Sequence, residues 1–340
     1  MSITNSRRNA LKALAALGTA PLAGALSKHV YAQTAKPIRI GYIHIPTCDG
    51  QMWLMKEMNL YAKEGLAPEF TRFNTGIEGF SALVGGSLDV FTTGGVTHNF
   101  PARGQGVVIL PNVVEWGGQV FGRGDAGINK LADLKGKKVA TTLGTTGQLI
   151  LHTALKSVGL DSTKDIDIIS QTMPSAVTSY VTGSAPALST WVPFNLRAKE
   201  AKTSQPLAEA RQFGPKAGYV LTAYSASKKT LETGSDLIKR LVAAWGPANE
   251  MMLTKKEEAA NILVSKYYKD ELDMQQMRAN FDAMDLHSSA KWAAMMKDGT
   301  LLSMLDAVTN IFVEIGAIQT PLPASKYSDF SAFMSTYKTA

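Results

Sequence analysis

Between Lys137 and Gly147 the chain reads KKVATTLGTTG: a short apolar strand to Thr142, a Gly144-Thr145-Thr146-Gly147 turn, and then a helix. Hydroxyls and free N–H groups at a helix start, where peptide dipoles sum to a partial positive charge, form a cradle for an anion. The same residues also suit an ordinary cap, with Thr145 or Thr146 accepting from a first-turn amide, and the turn alone does not separate the two readings. The chain repeats the arrangement. The strand Ile38–Ile43 runs into His44-Ile45-Pro46-Thr47-Cys48-Asp49-Gly50, and the strand Leu88–Phe91 runs into Thr92-Thr93-Gly94-Gly95. Ligands of open α/β sheets gather at the carboxyl ends of the strands, so three such loops suggest one binding site.

Covalent chemistry finds little support. Cys48 is the only cysteine, which excludes an internal disulfide and a cysteine-based metal or iron–sulfur centre. The histidines, His29, His44, His98, His152 and His287, make no HExxH and show no metal-ligand spacing. A hydrolase built on Cys48 and a nearby histidine has no supporting spacing either.

The elements that must hold these loops alternate. A helix is expected at 51–63, with Leu54, Met55, Met58 and Tyr61 on its apolar side, and a strand at 69–73. A helix then runs from Thr75-Gly76 to Gly85-Gly86, a further one carries His98 and Phe100, and a strand spans 107–114. A second α/β unit begins around Val120 to Gly127. Its helix after the Gly-Thr turn shows Ile150, Leu151, Ala154, Leu155 and Val158 on one face and closes at Gly159. Strands follow at 166–170 and 187–190, a helix at 176–181, and Trp191-Val192-Pro193-Phe194 enters a helix running through Lys202. A strand at 219–223 returns the chain to the first unit. The remainder is helical, with helices expected at 237–253, 255–268, 270–281 and 301–315, and its methionines fall at core-packing positions. Such alternation implies a parallel sheet covered on both faces.

Composition bounds the partners. The 340 residues suffice for two cores, and 45% hydrophobic with 19% charged residues describe a globular chain. The net charge of +7 includes Arg7, Arg8, Lys12 and Lys28, unopposed by acids in the first 32 residues. Without that segment about +3 remains, and no basic stripe interleaved with aromatics points to nucleic acid. Residues 1–32 read as a cleaved export signal. Ser6-Arg7-Arg8-Asn9-Ala10-Leu11-Lys12 is twin-arginine-like, a short Ala/Leu/Gly core follows, and Val30-Tyr31-Ala32 offers a cleavage site.

In order and spacing, IRIGY at 38–42, Gly85-Gly86-Ser87-Leu88-Asp89-Val90 leading to Thr93-Gly94, DLKGKKVA at 133–140 and Trp191-x-Pro193-Phe194 resemble a known family. It comprises the substrate-binding proteins of the nitrate/sulfonate/taurine class of ABC importers. The resemblance implies the type II periplasmic binding fold: two α/β lobes joined by two crossing strands, with a mostly helical C-terminal part. Residues 33–120 and 220–340 would form the first lobe and 121–219 the second, hinged near Val120 and Tyr219. It further implies a monomer of the periplasm that needs no cofactor or metal, binds a small anionic solute and hands it to a membrane permease and its ATPase. Carried over position by position, the ligand contacts would be Pro46, Thr47, Cys48 and Asp49, then Thr92, Thr93, Gly94 and Gly95, then Gly144, Thr145, Thr146 and Gly147, with Trp191 packing the rest of the solute and His98 facing the cleft.

Two departures narrow the ligand. Many members of that family carry an acid between the Trp and the Pro, where this chain has Val192, and Gly183-Ser184-Ala185-Pro186-Ala187 replaces a common Gly-x-x-Asp-Ala turn. Val192 disfavours an amine such as taurine and favours an apolar or aromatic acid, a sulfonate or a carboxylate. Nitrate, a pyrimidine precursor of thiamine, and an enzyme of the pyrimidine-precursor synthase type on the same scaffold are the alternatives. The single cysteine and the leader weigh against the enzyme. A sensory receptor presenting its ligand to a membrane kinase fits the sequence as well as a transporter component does.

Overall fold

A computed structural model of the chain describes residues 35–216 and 219–337. The leader expected at 1–32 lies outside the described residues. The chain begins β1 (Lys36–Ile43), α1 (Pro46–Glu57), α2 (Leu60–Lys63), β2 (Leu66–Phe73), α3 (Gly76–Val84), β3 (Val90–Thr93) and β4 (Val107–Glu115). It continues through β5 (Gln119–Arg123), β6 (Lys138–Thr141), α4 (Thr146–Lys156), β7 (Asp167–Ser170), α5 (Met173–Val181), β8 (Ala187–Thr190), α6 (Phe194–Lys199) and β9 (Ser204–Glu209). Next come β10 (Val220–Ala226), α7 (Lys228–Thr233), α8 (Ser235–Thr254), α9 (Lys256–Lys266), α10 (Met274–Asp282) and β11 (Met284–Asp285). The chain closes with α11 (Ser289–Lys297), α12 (Thr300–Glu314), α13 (Ala324–Tyr327) and α14 (Ser331–Thr336).

These strands form two sheets, ordered β11-β4-β10-β3-β1-β2 and β7-β6-β8-β5-β9. Neither is wholly parallel. In the first, β10 runs antiparallel between β3 and β4, and in the second β5 runs antiparallel between β8 and β9. Those two strands open and close the excursion into the second sheet. The chain leaves the first sheet after Glu115, enters the second at Gln119, leaves it after Glu209 and rejoins the first at Val220. The helices cover both faces of each sheet. Phe80, Leu83, Leu88 and Phe91 fill one side of the first, while Ile40, Trp245, Trp292 and Phe312 belong to the large core on the other. In the second sheet Val139 and Leu151 pack on one face, and Phe121, Val177 and Tyr180 on the other.

Several boundaries differ from the sequence reading. The loop expected at 44–50 is already helix from Pro46, whose fixed φ suits the first helical position, and Pro46 to Met55 are all buried. The helix expected around His98 and Phe100 is two short 3-10 turns, Gly95–His98 and Pro101–Arg103, because Pro101 has no amide to continue a longer one. The helix entered at Trp191 ends at Lys199 and does not run through Lys202, and β9 begins at Ser204. Among the described residues no helix is long and apolar enough to cross a membrane.

What fixes α1 in place is polar. The carbonyl of Thr47 accepts from Thr222 Oγ1 at 2.7 Å, and that of Cys48 from Thr92 Oγ1 at 2.6 Å and Asn112 Nδ2 at 3.0 Å. Asn112 also donates to Thr92 Oγ1 at 2.9 Å and accepts from Trp245 Nε1 at 3.0 Å, all in the dry interior. Asn112→Ala leaves the Trp245 N–H without its acceptor and the Cys48 carbonyl short of a donor. Urea unfolding followed by circular dichroism is expected to show a loss of about 2–4 kcal/mol with an unchanged denaturant slope.

Candidate functional site

A cavity of about 440 Å³ lies between the two sheets. Its wall is drawn entirely from the carboxyl ends of seven strands. Ile43 to Cys48 follow β1, Arg72 to Ile77 follow β2, Thr93 and Gly94 end β3, and Glu115 ends β4. From the second sheet come Thr142, Thr145 and Thr146 after β6, Thr172 to Pro174 after β7, and Trp191 and Phe194 after β8.

Three helices of nine residues or more begin on this wall without a side-chain cap: α1, α4 and α5. The first amides of a helix have no partner inside it. Here no side chain caps them. Ile45 at the start of α1 cannot, Thr145 at the start of α4 turns its hydroxyl to the Thr142 carbonyl at 2.7 Å, and Thr172 before α5 pairs with the Ser175 hydroxyl at 3.0 Å. The cap reading of the Gly-Thr turn therefore fails for Thr145. Thr75, by contrast, does cap α3, accepting from Glu78 N at 3.2 Å. Apolar walls complete the cavity: Ile45, Phe73, Met173, Pro174, and Trp191 set edge-on to Phe194 at 5.8 Å.

Of the residues anticipated from the sequence, Thr47, Cys48, Thr93, Gly94, Thr145, Thr146 and Trp191 line this one cavity. The others stand behind it. Pro46 opens α1 in the interior. The carboxylate of Asp49 is consumed by His44 Nδ1 at 2.6 Å, Trp53 Nε1 at 2.9 Å and the Tyr268 hydroxyl, and His44 stacks on Tyr268 at 4.0 Å. Thr92 belongs to the Asn112 network. His98 is buried, accepts from Leu221 N at 3.1 Å, and is held neutral by desolvation that brings it down to about 4. Gly144 donates its N–H to Gln148 Oε1 at 2.7 Å.

Gly95 and Gly147 act through what they lack. A Cβ on Gly95 would lie 2.7 Å from Thr146 N, so the loop after β3 touches the start of α4 only because no side chain intervenes. A Cβ on Gly147 would come within 3.0 Å of the Ser189 carbonyl and 3.4 Å of the Trp191 ring.

The sequence reading missed Arg72 and Asn74, Thr142, Thr172 to Pro174, Phe194, and above all Glu115. Six of these seven wall segments follow parallel strands, so the carboxyl-end rule applied to β2, β6 and β7 finds Arg72, Asn74, Thr142 and Thr172 to Pro174. Arg72 is tied to Glu271 at 2.6 Å. Glu115 is 4% exposed, burial pushes its carboxyl up to about 7 against the opposing hydrogen bond of the Thr47 side chain, and its Oε1 has no hydrogen-bond partner among the described residues. Burial also pushes the Cys48 thiol well above its usual range, which keeps it protonated. A second hollow of about 920 Å³ borders α4 and α12, but its charged groups are already engaged. Glu314 takes His152 at 3.0 Å and Lys156 at 2.7 Å, and Asp285 takes Trp116 at 2.7 Å and Arg211 at 3.0 Å. No group of three or more potential metal ligands gathers among the described residues.

The model of the NMT1/THI5 like family matches residues 59–259, well over half of the chain. The chain belongs to that family. A Brucella abortus relative that carries a provisional binding-protein name is 25% identical over 305 residues, covering 89% of this chain and 92% of its own. The periplasmic aliphatic sulphonate binding protein of Escherichia coli superposes with a TM-score of 0.67 at 20% identity, over 86% of this chain and 91% of its own. A desulfurization enzyme superposes with a TM-score of 0.62 at 12% identity, over 88% and 98%. These likenesses establish the periplasmic binding protein fold for this member of the family.

The pH dependence of stability follows from Glu115. In unfolded chain the carboxyl releases its proton near 4.5, in the folded protein near 7, so between those values the native state binds more protons. Stability is therefore full below about pH 4.5 and falls as pH rises through 7, by on the order of 2–3 kcal/mol from this group. Glu115→Gln in the ligand-free protein is expected to flatten that fall, read from denaturation midpoints at several pH values.

Proposed function

We propose that the chain is the solute receptor of an ABC importer. It works in the periplasm as a monomer, takes a small organic anion into the cavity between its sheets, and delivers it to the permease and ATPase of the inner membrane. A sulfonate or a carboxylate with an apolar body is the favoured solute. One observation carries the reading: three uncapped helix starts, α1, α4 and α5, meet Trp191 and Phe194 around a single cavity of a size suited to a small ligand. Helix starts serve the acid group without a formal counter-charge, and the aromatic walls serve the remainder. The sulphonate-binding relative of the same fold supports the choice of anion, and the leader supports export, here by the twin-arginine route.

The likeness to a desulfurization enzyme raises the alternative of catalysis at Cys48, and the chemistry of that thiol counsels against it. It is buried and protonated, it is paired with the Thr47 hydroxyl at 3.8 Å, and the histidine on the same wall, His44, is committed to Asp49.

Closure of the lobes on solute would be a hinge motion about the two crossings. Gly95→Ala, which drives a methyl against the Thr146 backbone, is expected to weaken solute binding at least about tenfold and to lower the melting temperature of the ligand-free protein by a few degrees. Calorimetric titration checks it. A thermal-shift screen of alkane- and arylsulfonates, aromatic carboxylates, nitrate and pyrimidines is expected to raise the melting temperature for one acid class, since solute at about a hundredfold its Kd adds ~2.7 kcal/mol. Trp191→Ala should then weaken the responding compound by about ten- to thirtyfold without unfolding the protein. Equal affinity in that variant removes Trp191 from the site, and turnover of a compound in place of binding removes the receptor reading.

A further inference from the structure

The helix starts account for an acid, but they leave Glu115 unexplained. It ends β4 on the cavity wall, is all but buried, and enters no ion pair among the described residues. Among the described residues of the wall the one lysine or arginine is Arg72, which is bidentate to Glu271. A Cβ on Gly94 would lie 3.6 Å from Glu115 Oε2. One on Gly117 would lie 3.2 Å from Glu115 Oε1 and 3.0 Å from Val192 Cγ2. The carboxyl thus lies against the Gly117 backbone, on which the apolar Val192 also packs, with Thr47 as its hydroxyl support and Oε1 left over. A buried acceptor without a donor is costly, and an ionised one beside a bound acid repels it. A site meant for a plain acid would be served better by glutamine or by an apolar side chain.

We propose that Glu115 is a ligand-binding residue and that the solute carries, beside its acid group, a protonated nitrogen that pairs with the Glu115 carboxylate. The inference rests on the receptor reading above and narrows its solute to a zwitterion or an acid with a basic nitrogen. The cavity then has two poles, the helix starts for the acid and Glu115 for the nitrogen, with Trp191 and Phe194 along the body between them. Val192, which alone would argue against an amine, becomes the surface that dries the carboxyl and strengthens the pair.

Calorimetric titration with matched probes tests the assignment: taurine against ethanesulfonate, β-alanine against propionate, and 4-(aminomethyl)benzoate against 4-methylbenzoate. In at least one pair the nitrogen-bearing member is expected to bind about tenfold or more tightly to the wild-type protein near pH 8. Glu115→Gln should reduce that preference to within about threefold while binding the nitrogen-free member at least as well. The preference should also grow from about pH 6 to about pH 8 in the wild type, as Glu115 ionises, and stay flat in the variant. The groups facing Glu115 do not compete in that range. They are Thr47 and the protonated Cys48 from α1, Gly94 after β3, Val220 from β10, Met284 from β11, Gly117 before β5 and Val192 after β8. Should nitrogen-free acids bind as tightly as their partners, this inference falls and the receptor stands. That comparison needs only the wild-type protein, so it decides even if the variant does not fold. Should no member of any pair bind, the receptor reading falls and takes this one with it.

Discussion

The first turn of an α-helix cannot satisfy its own amide hydrogens, and in this chain three helices bring that shortfall to one place. The constraint is met elsewhere by capping side chains, as Ser227 does for α7 and Ser288 for α11. At α1, α4 and α5 the residue before the helix is an isoleucine or a threonine whose hydroxyl looks away. The cavity follows from this. Its polarity is made of backbone, which is why so few charged side chains reach the wall.

A site made of backbone is only as well placed as the backbone, and the chain invests its buried polar groups there. Thr92, Asn112, Thr222 and Trp245 hold the carbonyls of the first turn of α1, and Asp49 clamps its next turn to His44, Trp53 and Tyr268. Of these groups only His44 reaches the cavity, yet each fixes a segment that does. Gly95 and Gly147 complete the arrangement by letting the two halves and the Trp191 ring come close.

The alternation of strands and helices, the turn after β6 and the aromatic at Trp191 were all readable, because period-two and helical patterns switch sharply at Gly-Thr corners. The start of α1 was not. Thr47, Cys48, Asp49 and Gly50 look like loop, and only their burial against β4, β10 and α10 makes them helix. β9 was hidden by Pro206 and a half-exposed face, and its pairing with β5 shows a register shift beside that proline. Asp49, Thr92 and His98 drew attention as polar residues beside a presumed site, whereas each satisfies a buried partner. Glu115 escaped for the opposite reason. It closes an apolar strand, and nothing in a local pattern reveals that the next three residues carry the chain across to the other sheet.

The helix α4 is held at both ends by elements packed on the first sheet. Its N-terminal turn rests on Gly95, and 10 residues on from Thr146 the Lys156 ammonium meets Glu314 of α12, with His152 on the same carboxylate. Such a helix is a strut about 15 Å long between two footings of different character. One footing is steric and indifferent to ions. The other is a half-exposed charge cluster weakened by electrolyte. Parting the halves from the cavity side and parting them from the rear are therefore separate events, and ionic strength acts on the second alone.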